Sequence, residues 1–224
     1  MKQRINIAID GPAGAGKSTA AKALAKRLGI RYLDTGAMYR AMALYAIRCG
    51  VRPEDPEGMA TILDGADVRV KYMEDGSQHV FLGEEDVTGL LRTPELSMGA
   101  SNVGIHPPVR QKLAEMQRRV GTQYDIIMDG RDITTNVLPD TPYKFYITAS
   151  VEERARRRLR EMEQRGETGK TLEEVKDEIA KRDANDMGRA YMPLRIAEDA
   201  VVVDTTDMTA DEVVEYLVQK IEEL

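Results

Sequence analysis

Apolar residues recur along this chain in two rhythms. Ile5-Asn6-Ile7-Ala8-Ile9 is a short, nearly continuous apolar run that stops at Asp10, the pattern of a strand buried on both faces. From Lys17 to Leu28 the spacing changes. Ala20, Ala21, Ala23, Leu24, Ala25 and Leu28 recur near every 3.6 residues, which predicts a helix, and Gly29 predicts its C-cap. Ile30–Leu33 predicts a second strand, and Ala37–Arg48, rich in Ala, Met and Leu, a second helix. The later runs Tyr124–Met128, Lys144–Thr148 and Ala200–Val203 predict three more strands. Helix starts among them are marked by S/T-x-x-E capping boxes: Ser150 with Glu153, Thr171 with Glu174, and Thr209 with Glu212. Strands alternating with helices predict an α/β fold on a mainly parallel, five-stranded sheet.

One stretch breaks the alternation. Val68-Arg69-Val70-Lys71-Tyr72 has period two, Glu74-Asp75-Gly76-Ser77 reads as a turn, and Val80-Phe81-Leu82 follows. Two such runs around an Asp-Gly pair predict a β-hairpin, so residues 63–93 are expected to form a small antiparallel insert in one domain spanning residues 1–224.

Composition then removes several classes. The chain is 42% hydrophobic and 31% charged, which is ordinary for a globular protein. Its net charge of −6 argues against binding a nucleic-acid polymer or an anionic membrane. A single cysteine, Cys49, excludes an internal disulfide and a cysteine-based zinc site. The first apolar run reaches Asp10 too soon for a signal sequence, and no run of about 18 apolar residues exists to span a bilayer. A cytoplasmic monomer is expected.

Gly11-Pro12-Ala13-Gly14-Ala15-Gly16-Lys17-Ser18 matches G-x-x-x-x-G-K-[ST] and lies between a predicted strand and a predicted helix. Such a P-loop turns backbone N–H groups and a helix N-terminus toward one point, where they cradle a triphosphate. Lys17 is placed to reach the β- and γ-phosphates, and the Ser18 hydroxyl to ligate Mg²⁺. The fold expected is therefore a three-layer P-loop fold. A dinucleotide fingerprint would need Gly or Ala at position 19, which is Thr19.

A nucleotide site alone fits a phosphotransferase or a hydrolytic switch. A guanine-reading switch needs Asn-Lys-x-Asp, and none of Asn6, Asn102, Asn136 and Asn185 precedes a lysine. Arg40, Arg110, Arg131, Arg182 and Arg189 favour transfer to a second phosphate, because guanidinium forks grip phosphate oxygens in pairs. A phosphate acceptor needs no catalytic base, being mostly a dianion at pH 7 with a second pKa near 6. No role is assigned to His79, on the insert, or His106, in a Pro-flanked loop.

These residues resemble the bacterial cytidylate kinases, of the nucleoside monophosphate kinase family. The likeness covers almost the whole chain. It runs through Ile9–Thr19, then Leu33-Asp34-Thr35-Gly36-Ala37-Met38-Tyr39-Arg40, Pro108-Val109-Arg110, Asp129-Gly130-Arg131-Asp132, and Lys181-Arg182-Asp183 with Asp186 and Arg189. The D-[ST]-G-A-x-Y-R and D-G-R-D segments, with the insert between them, separate this family from others sharing the P-loop. The D-G-F-P-R segment of adenylate kinases is absent. The resemblance implies ATP + (d)CMP → ADP + (d)CDP with Mg²⁺. It implies that ATP is held by Gly11, Pro12, Ala13, Gly14, Ala15, Gly16, Lys17, Ser18 and Thr19. The acceptor phosphate is implied to lie on Thr35, Arg40 and Arg131, and cytosine on Ser101, Arg110 and Asp132, with Asp132 accepting from the N4 amine. Asp186 is implied to hold the ribose hydroxyls, Arg182 and Arg189 the phosphates, and Lys17, Arg131 and Arg189 to assist transfer. Asp129, at the end of an apolar strand, resembles an acid that orients metal-bound water.

Blander readings stand beside these. Thr35 also fits a helix N-cap, Arg40 a solvated helix residue, and Ser101 a small-residue turn. Arg182, Asp186 and Arg189, at i, i+4 and i+7, also fit a surface ladder on one helix face. Arg154, Arg156, Arg157, Arg158, Arg160 and Arg165 also fit a solvated charged helix. By position, residues 152–170 resemble the family's lid, with Arg157 or Arg158 as its ATP contact and Gly166-Glu167-Thr168-Gly169 as its tip. The alternative function is a P-loop switch, or a kinase of another small phosphate acceptor.

Overall fold

The computed structural model describes residues 4–164 and 166–224; Arg165, grouped above with the lid arginines, lies outside the described residues. Strand β1 (Asn6–Asp10) leads through the glycine loop into α1 (Lys17–Leu28), and β2 (Arg31–Asp34) passes directly into α2 (Thr35–Arg48). Helix α3 (Pro56–Ile62) precedes the antiparallel strands β3 (Val68–Tyr72), β4 (Gln78–Leu82) and β5 (Glu85–Asp86). Helices α4 (Pro94–Val103) and α5 (Pro107–Gln123) return the chain to β6 (Ile126–Gly130). A π-helical turn, Ile133–Val137, precedes β7 (Tyr143–Thr148). The helical hairpin α6 (Val151–Gln164) and α7 (Leu172–Gly188) follows, then β8 (Val201–Asp204) and α8 (Ala210–Glu223).

Five parallel strands form the central sheet in the order β2-β6-β1-β7-β8. Side-chain alternation sends its residues into two cores. Ile7, Ile9, Ile127, Phe145 and Ile147 pack with Leu24 of α1 and Leu217 of α8. Ala8, Leu33, Ile126 and Met128 pack with Met38 and Met42 of α2 and Leu113 of α5. Helices therefore cover both faces, which is why the strands read as continuous apolar runs. Val68, Val80 and Val87 of the insert join the second core, so the insert is built onto the domain. Ala155, Met162, Val175 and Ile179 form a small core of their own between α6 and α7.

The elements read from the sequence recur within one or two residues. The predicted hairpin is present, Val68 facing Leu82 and Val70 facing Val80, with Gly76 at φ 83° in its turn. Helix α2 begins at Thr35 rather than Ala37, because the Asp34 carboxylate caps it by accepting from Ala37 N at 3.0 Å. The N-cap is thus Asp34, and Thr35 is the first helical residue. Three helices were not read from the pattern. The start of α4 had a signal in Thr93, which accepts from Leu96 N, followed by Pro94. Helix α5 begins at Pro107, with His106 at its N-cap position and His106 Nε2 2.8 Å from Pro53 O. Cys49 is the exposed C-cap residue of α2. No described helix is long and apolar enough to cross a membrane.

Candidate active site

The carboxyl ends of the parallel strands meet one another, as ligand sites on such sheets do. Asp10 of β1 lies opposite Gly130, and Asp34 of β2 opposite Asp129. The loop leaving β1 turns sharply under β7: Gly11 has φ 147°, and a Cβ there would fall on Ile147 O. Gly16 precedes α1 in the left-handed conformation with no side-chain cap, so the first-turn N–H groups of α1 stay free for a ligand. Lys17 folds back to donate to Pro12 O at 2.6 Å. Burial, and then the Arg131 guanidinium, lower its ammonium to about 7. Ser18 Oγ donates to Asp129 Oδ2 at 2.6 Å, and Tyr32 Oη to the other carboxylate oxygen at 2.8 Å. Thr19 is exposed in the first turn of α1.

A cavity of about 210 Å³ opens from this loop. Ala13, Gly14, Lys17 and Ser18 border one side. Thr35, Arg40, Ser101, Arg110, Arg131, Asp132, Arg182, Asp186 and Arg189, the nine acceptor residues carried over from the family likeness, line the rest. Thr35 Oγ1 donates to Asp129 O at 2.7 Å, which ties the start of α2 to β6. Arg40 is held by Asp34 at 2.7 Å and is not a free surface residue. Ser101 is buried on α4, which replaces the turn reading with a helical one. Arg110 Nη2 pairs with Asp132 Oδ1 at 2.6 Å, both side chains buried, while Asn136 Nδ2 donates to Asp132 Oδ2 at 3.1 Å. Arg131 Nε donates to Asp186 Oδ2 at 2.6 Å, and Arg189 pairs with the other Asp186 oxygen. Arg189 lies just past the end of α7 in extended backbone, so the three-residue ladder on one helix is corrected: Arg182 and Asp186 share the helix, and Arg189 folds back to it.

The cavity is electrostatically incomplete. Arg40, Arg110, Arg182 and Arg189 each keep a buried Nε without a hydrogen-bond partner among the described residues. Burial, and then Arg131, depress the Arg182 guanidinium to about 10. Buried donors left unmade cost about 1–3 kcal/mol each, so the arrangement calls for an anion rich in acceptor oxygens. Among the described residues no cluster of three or more His, Cys, Asp or Glu is placed to cage a metal. Ser18 Oγ and the Asp129 carboxylate form a small all-oxygen set, the donor chemistry that suits Mg²⁺ shared with substrate phosphates.

The arginines of α6 separate. Arg154 is buried and donates to Ala13 O of the loop at 3.0 Å, to Ala149 O at 2.9 Å and to Asp183 Oδ2 at 2.6 Å, which removes it from the solvated face. Arg157 grips Thr205 Oγ1 and O at 3.0 and 2.6 Å, with Nη1 3.5 Å from the position a Cβ on Gly16 would take. Arg158 is half-buried, pairs with Glu161 at 3.4 Å, and carries a charge that acts on Arg182. Neither Arg157 nor Arg158 borders the cavity. Sequence reasoning gave no site role to Asp10 or Tyr32, and placed Arg154 on the solvated face. The buried Asp10 carboxylate accepts from Ile133 N, Thr134 N and Thr134 Oγ1 at 3.0, 2.7 and 2.6 Å, and burial raises it to about 6.

A family model described as cytidylate kinase matches residues 7–223. A protein named cytidylate kinase from Caldicellulosiruptor bescii is 48% identical over 217 residues, covering 97% of this chain and 95% of that one. One from Caldanaerobacter subterraneus subsp. tengcongensis is 49% identical over 217 residues, covering 97% and 94%. The solved structure of an uncharacterized protein from Eubacterium ventriosum has the same fold at TM-score 0.52 and 13% identity, covering 99% of this chain and 100% of that one. A family match that runs almost end to end, and relatives close to half identical over that length, establish that this chain belongs to the cytidylate kinase family.

Proposed function

We propose that the chain transfers the γ-phosphate of ATP to CMP or dCMP, releasing ADP and (d)CDP. The observation that carries this reading is one cavity bordered by a P-loop lysine, by a buried Arg110–Asp132 pair, and by arginines whose Nε donors are unmade among the described residues. The P-loop end suits the triphosphate of ATP, held by Gly11 to Thr19. Arg40, Arg131, Arg182 and Arg189 suit the acceptor phosphate and the charge that develops in transfer, with Thr35 at the N-terminus of α2 beside them. Lys17 moves from Pro12 O to the phosphates. Asp186, already fixed by two arginines, suits the ribose hydroxyls.

Cytosine presents an N4 donor next to N3 and O2 acceptors. Asp132 has lone pairs beyond those used by Arg110 and Asn136, and the Arg110 Nε and Ser101 hydroxyl supply donors. Mg²⁺ would be held by Ser18, with Asp129 behind it, and supplies charge neutralisation between the phosphates. No general base is required, because the acceptor reaches the site as a dianion. The α6–α7 hairpin, with its separate small core and its tip glycines Gly166 and Gly169 at φ 75° and 107°, suits a lid spanning residues 152–170. Arg157, beside Gly16 and Thr205, or Arg158 suits the lid's contact with ATP.

The test is ADP release from Mg-ATP with CMP, dCMP, UMP, AMP and GMP as acceptors. CMP and dCMP are expected to exceed AMP and GMP by a wide margin. AMP as the best acceptor, or no acceptor above background, overturns the reading.

A further inference from the structure

Strand β2 is an edge of the central sheet, so the N–H and C=O groups of alternate residues point away from β6, with no strand among the described residues to receive them. Two side chains of the insert hairpin take these groups. Tyr72 Oη donates to Tyr32 O at 3.1 Å. Gln78 bonds Asp34 twice: Asp34 N donates to Gln78 Oε1 at 2.7 Å, and Gln78 Nε2 donates to Asp34 O at 3.2 Å. A primary amide offers the same donor and acceptor as a peptide unit, so Gln78 stands in for one rung of a missing strand.

The residue it grips is a junction. The Asp34 carboxylate caps α2 at Ala37 N and holds Arg40, so its position sets both the helix N-terminus and the guanidinium that border the cavity. A groove of about 830 Å³ runs beside this clasp, bordered by Arg31, Tyr32, Asp75 and Tyr124 as well as by Asp34 and Gln78, and the Arg31 guanidinium bridges it to the hairpin, 5.1 Å over the Tyr72 ring. Val68 and Val80 share a buried core with Leu33 of β2, and these side-chain bonds set the hairpin's register against the strand's free edge. Gln78 itself does not border the active-site cavity.

We propose that Gln78 is a positioning residue for the acceptor: by clasping Asp34 it holds Arg40 and the start of α2 where a nucleoside monophosphate's phosphate is received. This rests on the acceptor assignment above. Gln78→Leu keeps the bulk and removes both bonds. The expected result is a KM for CMP raised about tenfold, for the loss of two modest hydrogen bonds. The KM for ATP is expected to stay within twofold and the melting temperature within a few degrees, while the Asp34 amide exchanges faster with solvent.

Gln78→Glu adds a rescue. Protonated, its carboxyl donates and accepts as the amide does; ionised, it only accepts and sets negative charge against Asp34 O. Its KM for CMP, divided by that of the wild type at each pH, should fall toward one as pH drops through about 4–5. Division by the wild type cancels the titration of CMP itself. An unchanged KM for CMP in Gln78→Leu, a joint rise for CMP and ATP, or a flat Gln78→Glu ratio overturns the proposal. Should the wild type prefer another monophosphate, the acceptor assignment falls. The same comparison, run with that acceptor and with Asp34 exchange, then decides the role of Gln78 separately.

Discussion

Lys17 and Asp132 both border the cavity and fail differently when removed. Lys17 touches one carbonyl of its own loop, so Lys17→Ala should fold normally by circular dichroism. Its kcat should drop 10²–10³-fold, about 3–4 kcal/mol, because the lost contact is one that strengthens as charge migrates. Asp132 is also a structural partner. Truncating it leaves the Arg110 guanidinium buried and unpaired, so the informative change is Asp132→Asn, which keeps an acceptor for Arg110. The new amide turns a donor toward cytosine's N4 amine and suits uracil's O4. kcat/KM for CMP should fall by about 2–3 kcal/mol while UMP holds or gains, so the CMP/UMP ratio collapses. Equal losses for both acceptors would assign Asp132 a purely structural role. Eight of the nine cavity-lining residues carried over from the family likeness were legible because they lie in short motifs the family repeats; Ser101 lies outside those motifs. Gln78 was not: its bonds to Asp34 join positions 44 residues apart, through a backbone that no motif describes.

Among the elements, the π-helical turn after Arg131 and Asp132 depends on a single carboxylate. Asp10 accepts three bonds from Ile133 and Thr134 while fully buried, and burial raises it from 3.8 to about 6. A folded-state pKa above the unfolded one means the native state binds the extra proton. Its contribution is therefore whole below about pH 4 and is lost as pH climbs through about 6. Asp10→Asn removes that dependence. Urea unfolding of both proteins from pH 4 to 7 should show the wild type losing roughly 2–3 kcal/mol relative to the variant. Parallel curves refute the linkage. Helix starts divided in the same physical way. Thr171 and Thr209 were legible because both halves of a capping box lie within four residues, and both boxes form. The start of α2 was misplaced because Asp34, ending one strand, also caps the next helix with no loop between them. Helix α5 opens on two prolines, which read as a loop although Pro at the first position favours a helix.

Across the whole molecule, Arg154 ties together parts that pattern reading kept separate. It joins the P-loop at Ala13, the end of β7 at Ala149, and α7 at Asp183. In sequence it is one of a run of arginines, and only the helix register turns it inward beside Ala155 while Arg156 faces solvent. Arg154→Met fills similar space but leaves the largely buried Asp183 carboxylate unpaired, at a cost of about 3–5 kcal/mol. Thermal unfolding should therefore begin lower, and saturating Mg-ATP should recover part of the loss by mass action. A melting curve like that of the wild type contradicts the coupling. The three-layer architecture itself was legible, since two-sided burial makes each parallel strand announce itself as an apolar run. The joints between layers were not, being made by single side chains.

Cys49 closes α2 at the end away from the cavity, one residue beyond Arg48, which pairs with Glu85 of the insert at 2.6 and 2.9 Å. It is the single thiol in the chain and it is exposed. The protein therefore comes with one attachment point for a thiol-reactive dye, and no other cysteine has to be engineered away. The dye would sit roughly 20 Å along a rigid rod from the start of α2, at the joint where that rod meets the insert. A change in its emission on rapid mixing with CMP would time any movement of the insert, in unaltered sequence and without turnover.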